Sequence, residues 1–138
     1  MGHQVFVYAY ERMFALYQRA TVAANNGLYD AAAFYMRKIL EVVADSFLSH
    51  YSVIGQEWRF AQYCGVYNRR NPSLDDKIDF LLSQSNIPKT SRDTYDAIRK
   101  YGNAAVHKTN FVENQAQHNR MMGLLSVEIT AFHRMAYE

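Results

Sequence analysis

The chain has 138 residues, 49% hydrophobic and 20% charged, which is long enough for one domain with a proper core and too apolar for disorder. A formal net charge of +2 is too mild to mark a nucleic-acid binder by itself. The single cysteine, Cys64, excludes an internal disulfide and a cysteine-based zinc cluster, and it suits a reducing compartment.

In chain order, residues 4–24 are predicted as a first helix. Tyr10, Met13, Phe14, Tyr17, Thr21 and Ala24 recur at three- and four-residue steps, the spacing of a buried stripe. Asn25-Asn26-Gly27 ends it, because Asn and Gly tolerate the left-handed geometry of a helix C-terminus. Asp30 is the expected N-cap of a second helix reaching about Tyr51. Ala33, Met36, Leu40, Val43 and Phe47 form the seam of an antiparallel bundle. Arg37, Glu41 and Asp45 make a second row at i, i+4 and i+8, read either as a solvated ion-pair ladder or as polar partners for a row on another helix.

Residues 52–72 break the pattern, with Gly55, Gly65 and Pro72 as punctuation and room for a short helix near Glu57 to Tyr63. Trp58, Phe60, Tyr63 and Tyr67 alternate there with Arg59, Arg69 and Arg70, and no acid lies between Trp58 and Pro72. Aromatics interleaved with arginines can stack bases and hold phosphates, or the segment can simply fold its rings onto the core. Cys64 reads as a half-buried small hydrophobe, since no base is placed beside it.

Ser73-Leu-Asp-Asp76 is a capping-box-like start for a short helix with Leu74, Ile78, Leu81 and Leu82 inward, stopped by Asn86-Ile87-Pro88. Thr90-Ser-Arg-Asp93 reads as a second such start and Asn110-Phe-Val-Glu113 as a third. The last helix runs to about Tyr137 with Met121, Leu124, Leu125, Ile129, Phe132 and Met135 inward. The fold class is therefore all-α, an up-and-down bundle of four principal helices plus a short fifth.

The helix that follows Thr90 organises the rest. Ile98, Gly102, Ala105 and Val106 all fall within about 80° of Tyr95 on its surface. Arg99, Asn103 and His107 step along the flank of that stripe and climb about 12 Å, a polar ledge of cation, amide and imidazole. Gly102 inside a helix costs about 1 kcal/mol against Ala, so it answers either to the close approach of a neighbouring helix or to ligand access. Asn103 could bond across helices or orient His107. His107 gains from the helix dipole when protonated, a purely structural reason to be there, and it could also serve as an acid or base near neutral pH. His3, His50, His118 and His133 are scattered, with His118 placed to return alongside His107 if the turn between them is tight. No metal or cofactor motif occurs, so none is expected.

Ile98-Arg-Lys-Tyr-Gly-Asn-Ala-Ala-Val-His107 resembles the signature of one uncharacterised branch of the HEPN superfamily, an Ile/Leu-Arg-x-x-Gly-Asn-x-x-Ala-His stretch. Arg37 and Glu41 match that branch's earlier Arg-x-x-x-Glu pattern, and Leu74, Lys77, Ile78 and Leu81 match its intervening helix. The resemblance spans roughly residues 28–135. It implies an HEPN-like bundle, frequent dimerisation and association with prokaryotic or phage conflict and defence proteins. In many members it also implies metal-independent RNA cleavage, with His working on the 2′-hydroxyl or leaving oxygen and Arg stabilising the phosphorane. The position that aligns with the catalytic Arg of those members holds Gly102, and Arg99 stands farther from His107 than their Arg stands from its His.

The resulting expectation is a non-catalytic HEPN-like module that binds a protein or a nucleic acid, RNA rather than DNA. The alternative is an endoribonuclease using Arg99, Asn103 and His107. Candidate binding residues are Arg59, Arg69, Arg70, Lys100 and Lys108, cations in two acid-free stretches. The 11 Tyr and 8 Phe suggest a homodimer of aromatic helical faces. No apolar run approaches a membrane span and the first residues lack a signal-peptide core, so a cytoplasmic protein without membrane contact is expected.

Overall fold

The computed structural model describes residues 2–107 and 114–138. Six helices and no strand occur among them: α1 (Gly2–Asn25), α2 (Tyr29–Val53), α3 (Trp58–Val66), α4 (Leu74–Leu82), α5 (Lys89–His107) and α6 (Gln115–Tyr137). The chain reverses where the sequence supplies residues that accept positive φ. Gly27, at φ 74°, ends α1 with paired bonds from Leu28 N–H to Ala23 C=O and from Gly27 N–H to Ala24 C=O. Gly55, at φ 73°, closes α2 in the same way, and Asn68, at φ 55°, closes α3.

The long helices α1, α2, α5 and α6 run up, down, up and down. α1 packs chiefly on α2 and α6, and α2 on α5. Phe6 near the start of α1 meets Phe132 near the end of α6 edge-on at 5.6 Å, with Phe47 of α2 completing the cluster. Met13, Met36, Leu40, Ile98, Leu125 and Phe132 are buried between the four, each contributing about 1.5–3 kcal/mol by leaving water. The connection from α2 to α5 carries α3 and α4. α4 docks on α5 and α2 and buries Ile78, Phe80 and Leu81. α3 buries no residue and attaches through rings, Phe60 and Tyr63 against Phe80 of α4.

The all-α bundle is as expected, with α3 as a sixth helix where the sequence left room for one. The capping box is present: Asp76 N–H donates to Ser73 Oγ at 3.2 Å and Ser73 N–H donates to Asp76 Oδ2 at 2.9 Å.

Other details differ. The buried stripe of α1 is Phe6, Ala9, Met13, Leu16, Ala20 and Ala23, while Phe14 and Thr21 face outward. On that helix apolar residues occur all round, and the small alanines turn inward because they let α2 and α6 come close. Tyr101 is buried on α5 and Val106 is exposed, the reverse of the expected edge. α2 begins after Leu28 with no side-chain cap, so Asp30 lies in the first turn. α5 begins at Lys89, immediately after Pro88, so Thr90 is not its cap. α6 is capped by Asn114, whose side chain accepts from Gln117 N–H; the expected start at Asn110 lies outside the described residues.

Candidate functional site

Gly102 sits where α5 crosses α2. A Cβ there would lie 2.8 Å from Arg37 Cβ and 3.3 Å from the Ala33 carbonyl oxygen. The glycine therefore serves close packing between helices. With the helices this near, Arg37 reaches across, and its Nε donates to Asn103 Oδ1 at 2.9 Å. The Asn103 amide nitrogen then donates to both carboxylate oxygens of Asp75 on α4, at 3.1 and 3.3 Å. One amide thus ties three helices together. The Arg37, Glu41 and Asp45 row is no ladder: Arg37 turns to Asn103, Glu41 lies 3.7 Å from Lys38, and Asp45 accepts from Lys77 of α4.

Arg99, one turn before Asn103, is held in the same way. Its Nη1 donates to Asp79 at 2.5 Å and its Nη2 to Asp96 at 2.6 Å, while Nη1 also reaches the Asp75 carbonyl at 3.4 Å. Its side chain is 15% exposed. Burial works against its charge, but the bonds and charges of Asp79 and Asp96 outweigh it and hold its pKa above the ordinary value. Asp96 is pulled below its ordinary range by the hydrogen bond from Lys100, with Arg99 adding to it against the opposing effect of burial. Arg37, Arg99 and Lys100 face Asp75, Asp79 and Asp96, three cations against three carboxylates.

The ledge is therefore split. Arg99 and Asn103 are brought together as parts of a clamp onto α4. α4 runs antiparallel to α5, so its first turn meets Asn103 and its second meets Arg99. His107 ends α5 one turn farther on and is exposed. The carboxylates that complete the clamp escaped the sequence reading. Asp75 and Asp79 belong to a helix whose start was legible but whose docking partner was not. Asp96 stood at the i, i+3 and i, i+4 spacing from Arg99 and Lys100 that marks such pairs, and that signal could have found it.

The binding candidates are also dispersed. Arg69 pairs with Asp76 at 3.3 Å, and Lys100 pairs with Asp96 at 2.8 Å. Arg70 is exposed, and Lys108 lies outside the described residues. Arg59 is half-buried with no anion beside it among the described residues: its guanidinium lies over the rings of Tyr51 and Trp58, 5.7 and 5.5 Å from their centroids. Cys64 is half-buried, and burial followed by the charge of Asp76 pushes its thiol pKa up, away from nucleophilic character. His118 is buried against Tyr29 at the start of α2, and burial lowers its pKa. Among the described residues no three His, Cys, Asp or Glu side chains gather to hold a metal. No helix among them is long and apolar enough to cross a membrane.

No curated protein and no solved structure matches the chain. The family model described as a domain of unknown function, DUF4145, matches residues 18–132, from the middle of α1 into the last turns of α6, and the chain belongs to that family.

Proposed function

We propose that this chain is a non-catalytic, HEPN-like helical module that binds a protein partner in a prokaryotic or phage conflict system. The observation that carries the reading is the state of Arg99. A ribonuclease of the kind the sequence resembles needs a cation aimed at developing phosphorane charge. Here the cation already donates to Asp79 and Asp96. Releasing it would forfeit two charge-assisted bonds, each worth about 1.5–3 kcal/mol. Gly102 and Asn103 are likewise accounted for by the joint between α2, α4 and α5.

The same pairing favours a protein over RNA. Nucleic-acid binding draws on cations that neutralise phosphates, and Arg69, Arg99 and Lys100 are already matched by carboxylates. α3 and the residue that caps its end, in contrast, expose Trp58 and Tyr67 beside arginines, residue types of protein-binding hot spots. A cytoplasmic homodimer through the exposed Tyr8, Phe14 and Tyr137 of α1 and α6 belongs to this proposal, and light scattering at micromolar concentration tests it.

The deciding experiment incubates purified protein with labelled single-stranded RNA in the presence of chelator. No His107-dependent cleavage is expected. Cleavage that disappears in both His107→Ala and Arg99→Lys, with helicity intact, would replace the module with the metal-independent endoribonuclease.

A further inference from the structure

A cation held among aromatic rings with no anion beside it is an incomplete arrangement. Arg59 is in that position. Its side chain makes no hydrogen bond or ion pair among the described residues, and its Nε is buried without a partner. Burying such a donor is unfavourable unless something completes it. Asp76 and Asp79 of α4 are engaged elsewhere, by Arg69 and Arg99, and Glu57, the residue that caps α3, is exposed.

Arg59 lines a cavity of about 360 Å³ between α3 and α4, together with Trp58, Tyr63, Tyr67, Phe80 and Gln84. No carboxylate lines it. Its floor is the ring of Phe80, and its rim carries Trp58 and Tyr67, both more than half exposed. A guanidinium lining an aromatic cleft is complementary to a carboxylate attached to an apolar group. Gln84 lies at the wall; its amide nitrogen donates to Ser83 Oγ and the Phe80 carbonyl, which leaves its oxygen to accept from a peptide N–H.

We propose that the α3–α4 cleft is a docking site for an acidic protein segment, one that places a carboxylate on Arg59 and an adjoining apolar side chain between Trp58 and Tyr67. This assignment rests on the binding-module reading and names the kind of partner. Charge complementarity selects the occupant. Arg59 at the start of α3 has no counter-ion among the described residues, no carboxylate lines the cleft, and Arg70 is exposed beyond the far end of the helix. Arg69 is already paired with Asp76 and the exposed Glu57 precedes Trp58, so the attraction for an acidic segment centres on Arg59.

Trp58 is the chain's one tryptophan and reports directly on occupancy. The intact protein is titrated, with Trp58 emission as the readout, against a short synthetic peptide in which Glu residues flank a Leu-Phe pair. The same peptide with Lys in place of Glu, and a single-stranded RNA, are titrated in parallel. A saturable response to the acidic peptide alone is expected, weakening with salt. Arg59→Gln should lose about tenfold or more in affinity, the loss of one charge-assisted contact. Arg59→Lys should fall between, and Arg12→Gln on α1 should match the unaltered protein. Circular dichroism confirms that each variant is folded, and Arg59→Lys carries the test if Arg59→Gln is not.

Equal response to the acidic and basic peptides overturns the proposal, as does no response at millimolar acidic peptide. An affinity indifferent to Arg59 overturns it too. Tighter, Arg59-dependent RNA binding would overturn it and give the cleft to nucleic acid. Failure here without RNA cleavage removes this site and leaves the module reading standing. His107-dependent cleavage removes that reading whatever the peptide does.

Discussion

Replacing Gly102 with alanine sets two effects against each other. Helix propensity favours alanine by about 1 kcal/mol. Against that, the added methyl would lie 2.8 Å from Arg37 Cβ, where carbon atoms in contact prefer about 3.5–4.0 Å. The obstacle is the stem of Arg37 and the backbone oxygen of Ala33 at 3.3 Å, not a flexible tip, so α2 and α5 must part. Overpacking of this kind costs about 1–3 kcal/mol. Parting the helices also lengthens the 2.9 Å bond from Arg37 to Asn103, a charge-assisted bond worth about 1.5–3 kcal/mol when fully made. With part of that bond surviving, the net expectation is a loss of about 1–3 kcal/mol. Gly123 of α6 is the control: it is mid-helix and exposed, and a Cβ there meets nothing within 4 Å. Gly123→Ala should therefore gain up to about 1 kcal/mol. Urea unfolding followed by circular dichroism reads both, as shifts of midpoint in opposite directions at unchanged slope. A Gly102→Ala protein as stable as Gly123→Ala would refute the close crossing of α2 and α5 and the clamp built on it.

Arg99→Ala should destabilise by about 2–3 kcal/mol, because two charge-assisted bonds disappear and Asp79 loses its partner at a half-exposed site; an unchanged urea midpoint would show that the pairing is decorative. Ser73→Ala removes one half of the capping box and should cost about 1 kcal/mol, read in the same assay. Glu128 is buried at 4% exposure, and burial raises its pKa above the ordinary 4.5 although Ser91 and the Tyr95 hydroxyl bond to it. A carboxyl whose folded pKa is raised contributes stability that is full below the unfolded value and is lost as pH rises through the folded one. The gap between the native protein and Glu128→Gln should therefore shift toward the variant as pH rises from about 4.5, and urea midpoints across that range that stay parallel would contradict it.

Local signals were legible and distant ones were not. The end of α1 at Asn25-Asn26-Gly27 and the capping box at Ser73 are each written within a few residues, and both are where the sequence placed them. On α2 the spacing found Ala33, Met36, Leu40 and Val43, which are buried, and missed Ala32, Ile39 and Ala44 beside them. On α1, Val5 to Tyr10 is an unbroken apolar run, so periodicity could not choose the inward face, and the neighbours α2 and α6 chose it. The ledge on α5 was visible as a row of residue types. Its chemistry was decided by partners 20 to 66 residues away, Asp79, Asp75 and Arg37, whose arrival depends on how α4 and α2 dock. Two members of that row, Arg99 and Asn103, carry a joint whose counter-charges come from α4 and, through Asp96, from α5 itself.

The way α3 is attached has a consequence for descent. It buries none of its residues, it ends at the positive-φ Asn68, and it touches the frame mainly through rings on Phe80 and Tyr51. Substitutions on its outer face meet no selection from the packing of the four long helices. Those at Gly102, Arg37 or Asn103 meet it at once. The outer positions of α3 are therefore free to vary while the frame beneath them stays the same.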